Sequence, residues 1–168
     1  MNEKSELLQH FLAALAYRTQ KALRGAPSEF AQFSAGNQTR TPMELVRHMT
    51  SVLGYSRTFF IGGRYRAEPL PSLDHEIERF HSTLGLLADH LKNGDPLLND
   101  LTEERLLQGP FSDAMTHAGQ LAMLRRLFGD PVPPENFIVA DISKDRIGAS
   151  QPEPASPDAE WPEAPCQN

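Results

Sequence analysis

The stretch 41–60, TPMELVRHMTSVLGYSRTFF, decides the fold class. Thr41 is placed to cap a helix. Pro42 takes the first helical position, where its missing N–H costs nothing, and Glu44 can reach back to complete a capping box. Beyond the cap, Leu45, His48, Met49, Val52, Ser56 and Phe59 or Phe60 recur at spacings of three and four. That period marks one stripe of a helix, not the alternation of a strand. Gly62-Gly63 ends the segment.

The same period repeats on both sides. From about Glu3 to Leu23, the residues Leu8, Phe11, Leu12, Leu15 and Ala16 share a face, with Gly25 and Pro27 as stops. From about Ser72 to Lys92, the residues Leu73, Ile77, Phe80, Leu84, Leu87 and Leu91 form a seam closed by Asn93-Gly94. A short helical turn is expected around Thr102 to Leu106. A last long helix is expected from about Pro110 to Phe128, with Asp113 or Ala114, His117, Leu121, Leu124 and Phe128 facing inward and Gly129 as the stop. Four amphipathic helices without a strand pattern predict an all-α four-helix bundle. The first two connections, about 15 and 10 residues, are long for a minimal up-and-down bundle and are expected to roof a pocket. Phe30 and Phe33 predict that the first of them packs down on the body. Phe137-Ile138-Val139-Ala140 reads as a strap across the bundle.

The 168 residues fit one domain, 1–147, followed by a Pro- and acid-rich tail, 148–168, expected to be disordered or loosely docked. Net charge is −6, and residues 149–168 hold Glu153, Asp158, Glu160 and Glu163 with no Lys or Arg. Trp161 is the one large apolar residue in this tail. No clustered basic face exists, which argues against a nucleic-acid partner. The single cysteine, Cys166, excludes an intramolecular disulfide and a Cys-based metal site. No run of about 18 apolar residues offers a membrane span. The first residues, MNEKSELLQH, mix charges into the apolar pattern, unlike a signal peptide. A soluble cytoplasmic protein is expected. Arg125 and Arg126 are expected to be solvated at a helix end, where cations complement the dipole. Met49, Met115 and Met123 are expected as core filler.

The chemistry-bearing residues are His48 on the second long helix, and Asp113 and His117 on the last. Asp113 and His117 are four residues apart and stack on one helix face. Two imidazoles and a carboxylate are the donors a divalent metal needs while keeping positions open for water or substrate. Taken singly, each histidine also reads as an interior residue bonded to a carbonyl or hydroxyl. Asp113 also reads as a first-turn acid favoured by capping and the helix dipole. Gln120, three residues past His117, is either a group that orients that imidazole or an ordinary polar residue. Phe30, Phe33, Phe59, Phe60 and Tyr65 fall near loops that could form an apolar pocket mouth.

The stretches TPMELVRHMTSVLGYSRTFF and DAMTHAGQLAMLRRLFGDPV resemble the second and fourth helices of the DinB/YfiT-like superfamily of metal-dependent enzymes. The resemblance spans about residues 5 to 142, and its specific motifs are TPxELxxH and HxGQ. It implies a four-helix bundle, commonly a homodimer, with a divalent metal held by His48, Asp113 and His117. Asp113 stands where that family most often has His. Carboxylates occur there in relatives similar to mycothiol-dependent maleylpyruvate isomerase. The implied activity is a hydrolase, or a transferase or isomerase assisted by a low-molecular-weight thiol, acting on a small-molecule substrate. Zn, Ni, Mn or Fe(II) all suit such a donor set. The alternative is a non-catalytic dimeric bundle with a structural or degenerate metal site, serving as a stress-related or interaction module.

Overall fold

The computed structural model describes residues 3–154. The readings made for Trp161, Cys166 and the rest of 155–168 lie outside the described residues. Five α-helices follow one another: α1 (Glu3–Leu23), α2 (Pro42–Ile61), α3 (Leu73–Asn93), the one-turn α4 (Glu103–Leu106) and α5 (Ser112–Phe128). No strand occurs among the described residues.

The caps work as the sequence requires. Thr41 accepts from the Glu44 N–H, and the Glu44 carboxylate accepts from the Thr41 N–H. Ser72 caps α3 through the His75 N–H. Gly94 and Gly129 close α3 and α5 in the left-handed conformation that residues with a Cβ avoid. The last long helix begins two residues later than expected. Its approach, Leu107–Phe111, is a π-type turn that carries Pro110 and a kink at Gly109.

The four long helices pack α2 on α3 and α5, and α1 on α3 and α5. The order around the bundle is therefore α1–α3–α2–α5. Directions follow from which ends meet. Arg125, near the end of α5, binds the Ala22 carbonyl near the end of α1, so these two helices run parallel. Arg47 meets Glu76 near the starts of α2 and α3, and Phe60 stacks on His90 near their ends, so these two are also parallel. The bundle is up-down-down-up.

This topology explains the long connections. The α1–α2 link crosses one end diagonally and is anchored by Phe30 and Phe33, whose rings pack on Phe128. The α3–α5 link, including α4, crosses the other end. The α2–α3 link does not roof a pocket. It returns along the whole length of α2, because α3 must start where α2 starts. The 20-residue α2 is roughly 30 Å long. Residues 62–72, fully extended, reach at most about 40 Å, so the chain has little slack. Three contacts hold it: the Tyr65 ring lies on Gly54, the Ala67 N–H donates to Ser51 Oγ, and the Leu70 N–H donates to Glu76 Oε1. A Cβ on Gly54 would lie 2.0 Å from the Tyr65 ring, so glycine is required there.

The core is the expected apolar set, led by Leu12, Leu15, Met49, Leu53, Phe80, Leu84, Leu87, Phe111 and Leu121. Two expectations are corrected. Met123 is 56% exposed and fills no core. Arg125 is buried instead of solvated: it donates to the carbonyls of Ala22, Arg24 and Asp130 and to the Asp130 carboxylate. Those carbonyls have no helical partner of their own, so one planar guanidinium satisfies several orphan acceptors at once.

The segment after α5 does strap the bundle. Tyr17 Oη donates to Glu135 Oε1 at 2.5 Å, Lys21 pairs with the same carboxylate at 3.0 Å, and Arg18 lies 3.9 Å over the Phe137 ring. Burial, reinforced by Glu135, pushes the Tyr17 hydroxyl well above the usual phenol range. The start of the predicted tail is docked as well, since Arg24 donates to the Gln151 and Pro152 carbonyls and pairs with Glu153.

Two outcomes follow from this packing. Replacing Arg125 by Ala strands three buried or half-buried carbonyls and should lower stability by about 2–4 kcal/mol in urea denaturation, with Arg125→Lys in between. His81 is buried with Nδ1 donating to the Ile147 carbonyl, and burial holds its pKa below the ordinary 6.5. The unfolded chain therefore takes up a proton that the folded chain resists. This contribution is complete above pH 6.5 and is lost as pH falls from there through the lower folded-state pKa. His81→Gln should flatten the fall in denaturation midpoint between about pH 7 and pH 5.

Candidate metal centre

The antiparallel seam of α2 and α5 brings the three residues together. His48 projects from α2, one turn after Leu45, and is half-buried. His117 projects from α5 and is buried. Their rings meet edge to face with centroids 4.8 Å apart. Asp113, one turn before His117, places Oδ1 3.4 Å from His117 Nε2. One donor atom from each of the three residues lies within 4.8 Å of the others.

His117 is held by a fourth residue. Its Nδ1 lies 2.7 Å from Gln120 Oε1. A carbonyl oxygen can only accept, so Nδ1 carries the proton and Nε2 presents its lone pair toward Asp113. This is the arrangement by which a hydrogen-bonded outer group fixes the tautomer of a metal-ligating imidazole.

Asp113 differs from expectation in one respect. Its side chain is 50% exposed, so it sits at the rim of the seam and not on an inward stripe. It does not cap α5 either, because the residue at the cap position is Phe111 and no side chain bonds the first N–H groups. As a first-turn acid it still faces the positive end of the helix dipole.

The donor set fits a metal. A tetrahedral ion with bonds of about 2.0–2.1 Å sets its ligand atoms roughly 3.3–3.4 Å apart. The Asp113–His117 separation of 3.4 Å already matches. The donor atom of the half-buried His48 lies within 4.8 Å of both. The electrostatics are consistent with this: burial first, then Arg40 and His117, hold the His48 pKa below its ordinary value, with Asp113 opposing. His48 is therefore kept in the neutral form that can donate a lone pair.

Two cavities flank the set along the seam. One, of about 590 Å³, is lined by Val52, Tyr55, Gln108, Gly109, Pro110, Ser112, Asp113 and Thr116. The other, of about 600 Å³, lies toward the start of α2 and includes Arg40, Leu45 and Gln120. The π-type turn before α5 thus forms a wall beside Asp113, a placement seen often for such turns at functional sites.

The remaining histidines stay apart. His75 bonds Ser72, His90 pairs with Asp95, His81 is tied to Ile147, and His10 is exposed. The aromatic pocket mouth does not form: Phe30 and Phe33 pack on Phe128, Phe60 stacks on His90, Phe59 packs on Tyr55, and Tyr65 lies on Gly54. Arg40 was not among the expected site residues. Only its place immediately before the Thr41 cap marks it in the sequence.

Comparison with protein-family models, with curated proteins and with solved structures finds no match to this chain.

The pKa causes at His48 lead to a direct check. In metal-free protein, the His48 ring should titrate by NMR with a midpoint below 6.5. Arg40→Ala removes a nearby positive charge and should move that midpoint upward.

Proposed function

We propose that this chain is a metal-dependent enzyme acting on a small molecule, a hydrolase or a transferase or isomerase assisted by a low-molecular-weight thiol. The observation that carries the reading is the convergence of three donor atoms from two helices within 4.8 Å. The tautomer of His117 is held before any metal arrives. The likeness of the two motif helices to the DinB/YfiT-like superfamily supports the same reading, together with a cytoplasmic homodimer.

Structural zinc sites are closed by four protein ligands. Here only three donors converge, and the half-exposed Asp113 borders a cavity, so a bound ion would have room for water or substrate. That geometry favours an active site over the structural alternative. A divalent ion in such a set supplies Lewis acidity and lowers the pKa of a water or a thiol.

The chain's own residues do the rest. Gln120 holds the His117 proton on Nδ1 and so aims Nε2. Burial and Arg40 keep His48 neutral. Asp113 supplies the negative charge that favours a cation, in a first turn where the dipole already stabilises a carboxylate. Val52, Tyr55 and the 108–110 turn line the groove beside Asp113. Zinc, nickel, manganese and iron(II) all suit these donors.

Metal analysis of purified protein incubated with Zn, Ni or Mn should find about one ion per chain. His48→Ala and His117→Ala should lose it, Asp113→His should keep it, and Asp113→Leu should not. Gln120→Leu should weaken binding by about 10–100-fold, the usual cost of removing an orienting partner. Affinity should fall as pH drops into the range where imidazoles protonate, since a ligating imidazole must be unprotonated. Protein that stays metal-free after all three incubations would sink the proposal.

A further inference from the structure

The cavity of about 600 Å³ beside the candidate metal centre has an asymmetric lining. Ala35, Leu45, Met123, Leu124 and Leu127 give it an apolar body. Its polar groups, Gln38, Thr39, Arg40 and Gln120, come from the end of the α1–α2 link and from α5. Arg40 is the one charged residue among those that line it. Among the described residues Arg40 makes no ion pair and no hydrogen bond, whereas the nearest acid in sequence, Glu44, is engaged in the capping box.

Gln120 joins this cavity to the metal centre. Its Oε1 is occupied by His117 Nδ1, while its amide nitrogen bonds no described residue. An amide nitrogen can only donate. The cavity therefore holds two unused donor groups, one of them cationic, above an apolar floor, and no carboxylate to answer them. The link that carries Arg40 is itself fixed: Gly36, Asn37 and Gln38 all adopt positive φ, and Thr39 bonds back to the Gly36 carbonyl through both N–H and Oγ1. Arg40 then enters the capped start of α2.

We propose that this cavity is a subsite for an organic anion with an apolar body, its charged head held by Arg40 and the Gln120 amide and its hydrocarbon part against Leu45, Met123 and Leu127. The proposal deepens and rests on the metal-enzyme reading: Gln120 touches both sites, so the head group held by its amide sits beside His117. The substrate class is an amphipathic carboxylate or phosphate. Guanidinium binds both head groups in a fork geometry.

The test uses three probes on the whole chain: 4-phenylbutyrate, phenyl phosphate and the neutral 4-phenylbutanol. Binding is followed by calorimetry and by amide shifts of residues 35–40 and 120–127. One or both anions should bind, and the one that binds tighter identifies the head group. The alcohol should bind at least about tenfold more weakly. Arg40→Ala should weaken anion binding roughly tenfold, since a charge-assisted contact is lost. Arg40→Lys should recover part of it. Met123→Glu places a carboxylate on an exposed position of the lining without disturbing the core, and should abolish binding.

At pH 8, where His48 is neutral with or without Arg40, the Arg40→Ala variant should still take up about one ion per chain, since none of the three donors is altered. If the alcohol binds as well as the acids, or Arg40→Ala and Met123→Glu bind as the parent does, the subsite is overturned whatever the metal result. If the chain takes up no metal but binds an anion through Arg40, the metal reading falls and the subsite stands.

Discussion

The parallel alignment of α2 and α3 is the constraint on which the rest depends, and one buried carboxylate holds it. Glu76 is fully buried, and it accepts from Arg47 Nε at 2.7 Å, from the Leu70 N–H at 3.0 Å, and from Arg79. Those partners lie on α2, on the returning link and on α3 itself. A buried carboxylate without partners would cost several kcal/mol, so the three must be present together. Their meeting sets the register of α2 against α3 and ends the return of residues 62–72. With α2 so directed, it runs antiparallel to α5, and His48 falls opposite His117. Had the link been short and α3 antiparallel to α2, α5 would have met a different order of helices.

The site inherits its character from this placement. His48 and His117 lie inside the seam, where burial disfavours protonation of His48, while Asp113 lies half exposed at the rim. A neutral His48 beside one accessible carboxylate carries little internal repulsion before a cation arrives. The edge-to-face contact of the two rings at 4.8 Å and the Gln120 bond restrict both imidazoles. Binding would then order few groups that are not ordered already, which is what preorganisation means in energetic terms.

Much of this was legible in the sequence because it is local. The Thr41–Glu44 box, the glycine stops and the apolar periods each depend on neighbours within four residues, and they gave the long helices to within about two residues at their ends. The i,i+4 pairing of Asp113 with His117 is local too. What was not legible is long-range. Helix order around the bundle and helix direction depend on Glu76 meeting a backbone N–H and an arginine 29 residues away. Arg125 reads as a solvated helix end because nothing near it in sequence shows that the terminal carbonyls of α1 lie within its reach. Asp113 reads as inward because a stripe has no edge on a helical wheel. Only the partner helix decides which side of it is covered.

The end of the α1–α2 link adds an energetic argument. Two consecutive non-glycine residues, Asn37 and Gln38, hold φ values of 49° and 60°. The left-handed region costs an L-residue roughly 1–2 kcal/mol, somewhat less for Asn, whose side chain can bond locally. Against a total folding stability of about 5–15 kcal/mol, such a pair is not negligible. A link that only had to cross the end of the bundle has length enough to avoid it, since 18 residues separate α1 from α2. Here the turn instead folds back on Gly36 through Thr39 and delivers Arg40 to the lining of the cavity that also holds Gln120, the partner of His117. Local strain, an unanswered cation and an orienting amide therefore coincide at one end of the α2–α5 seam. The core packing of α1, α3 and the strap requires none of the three.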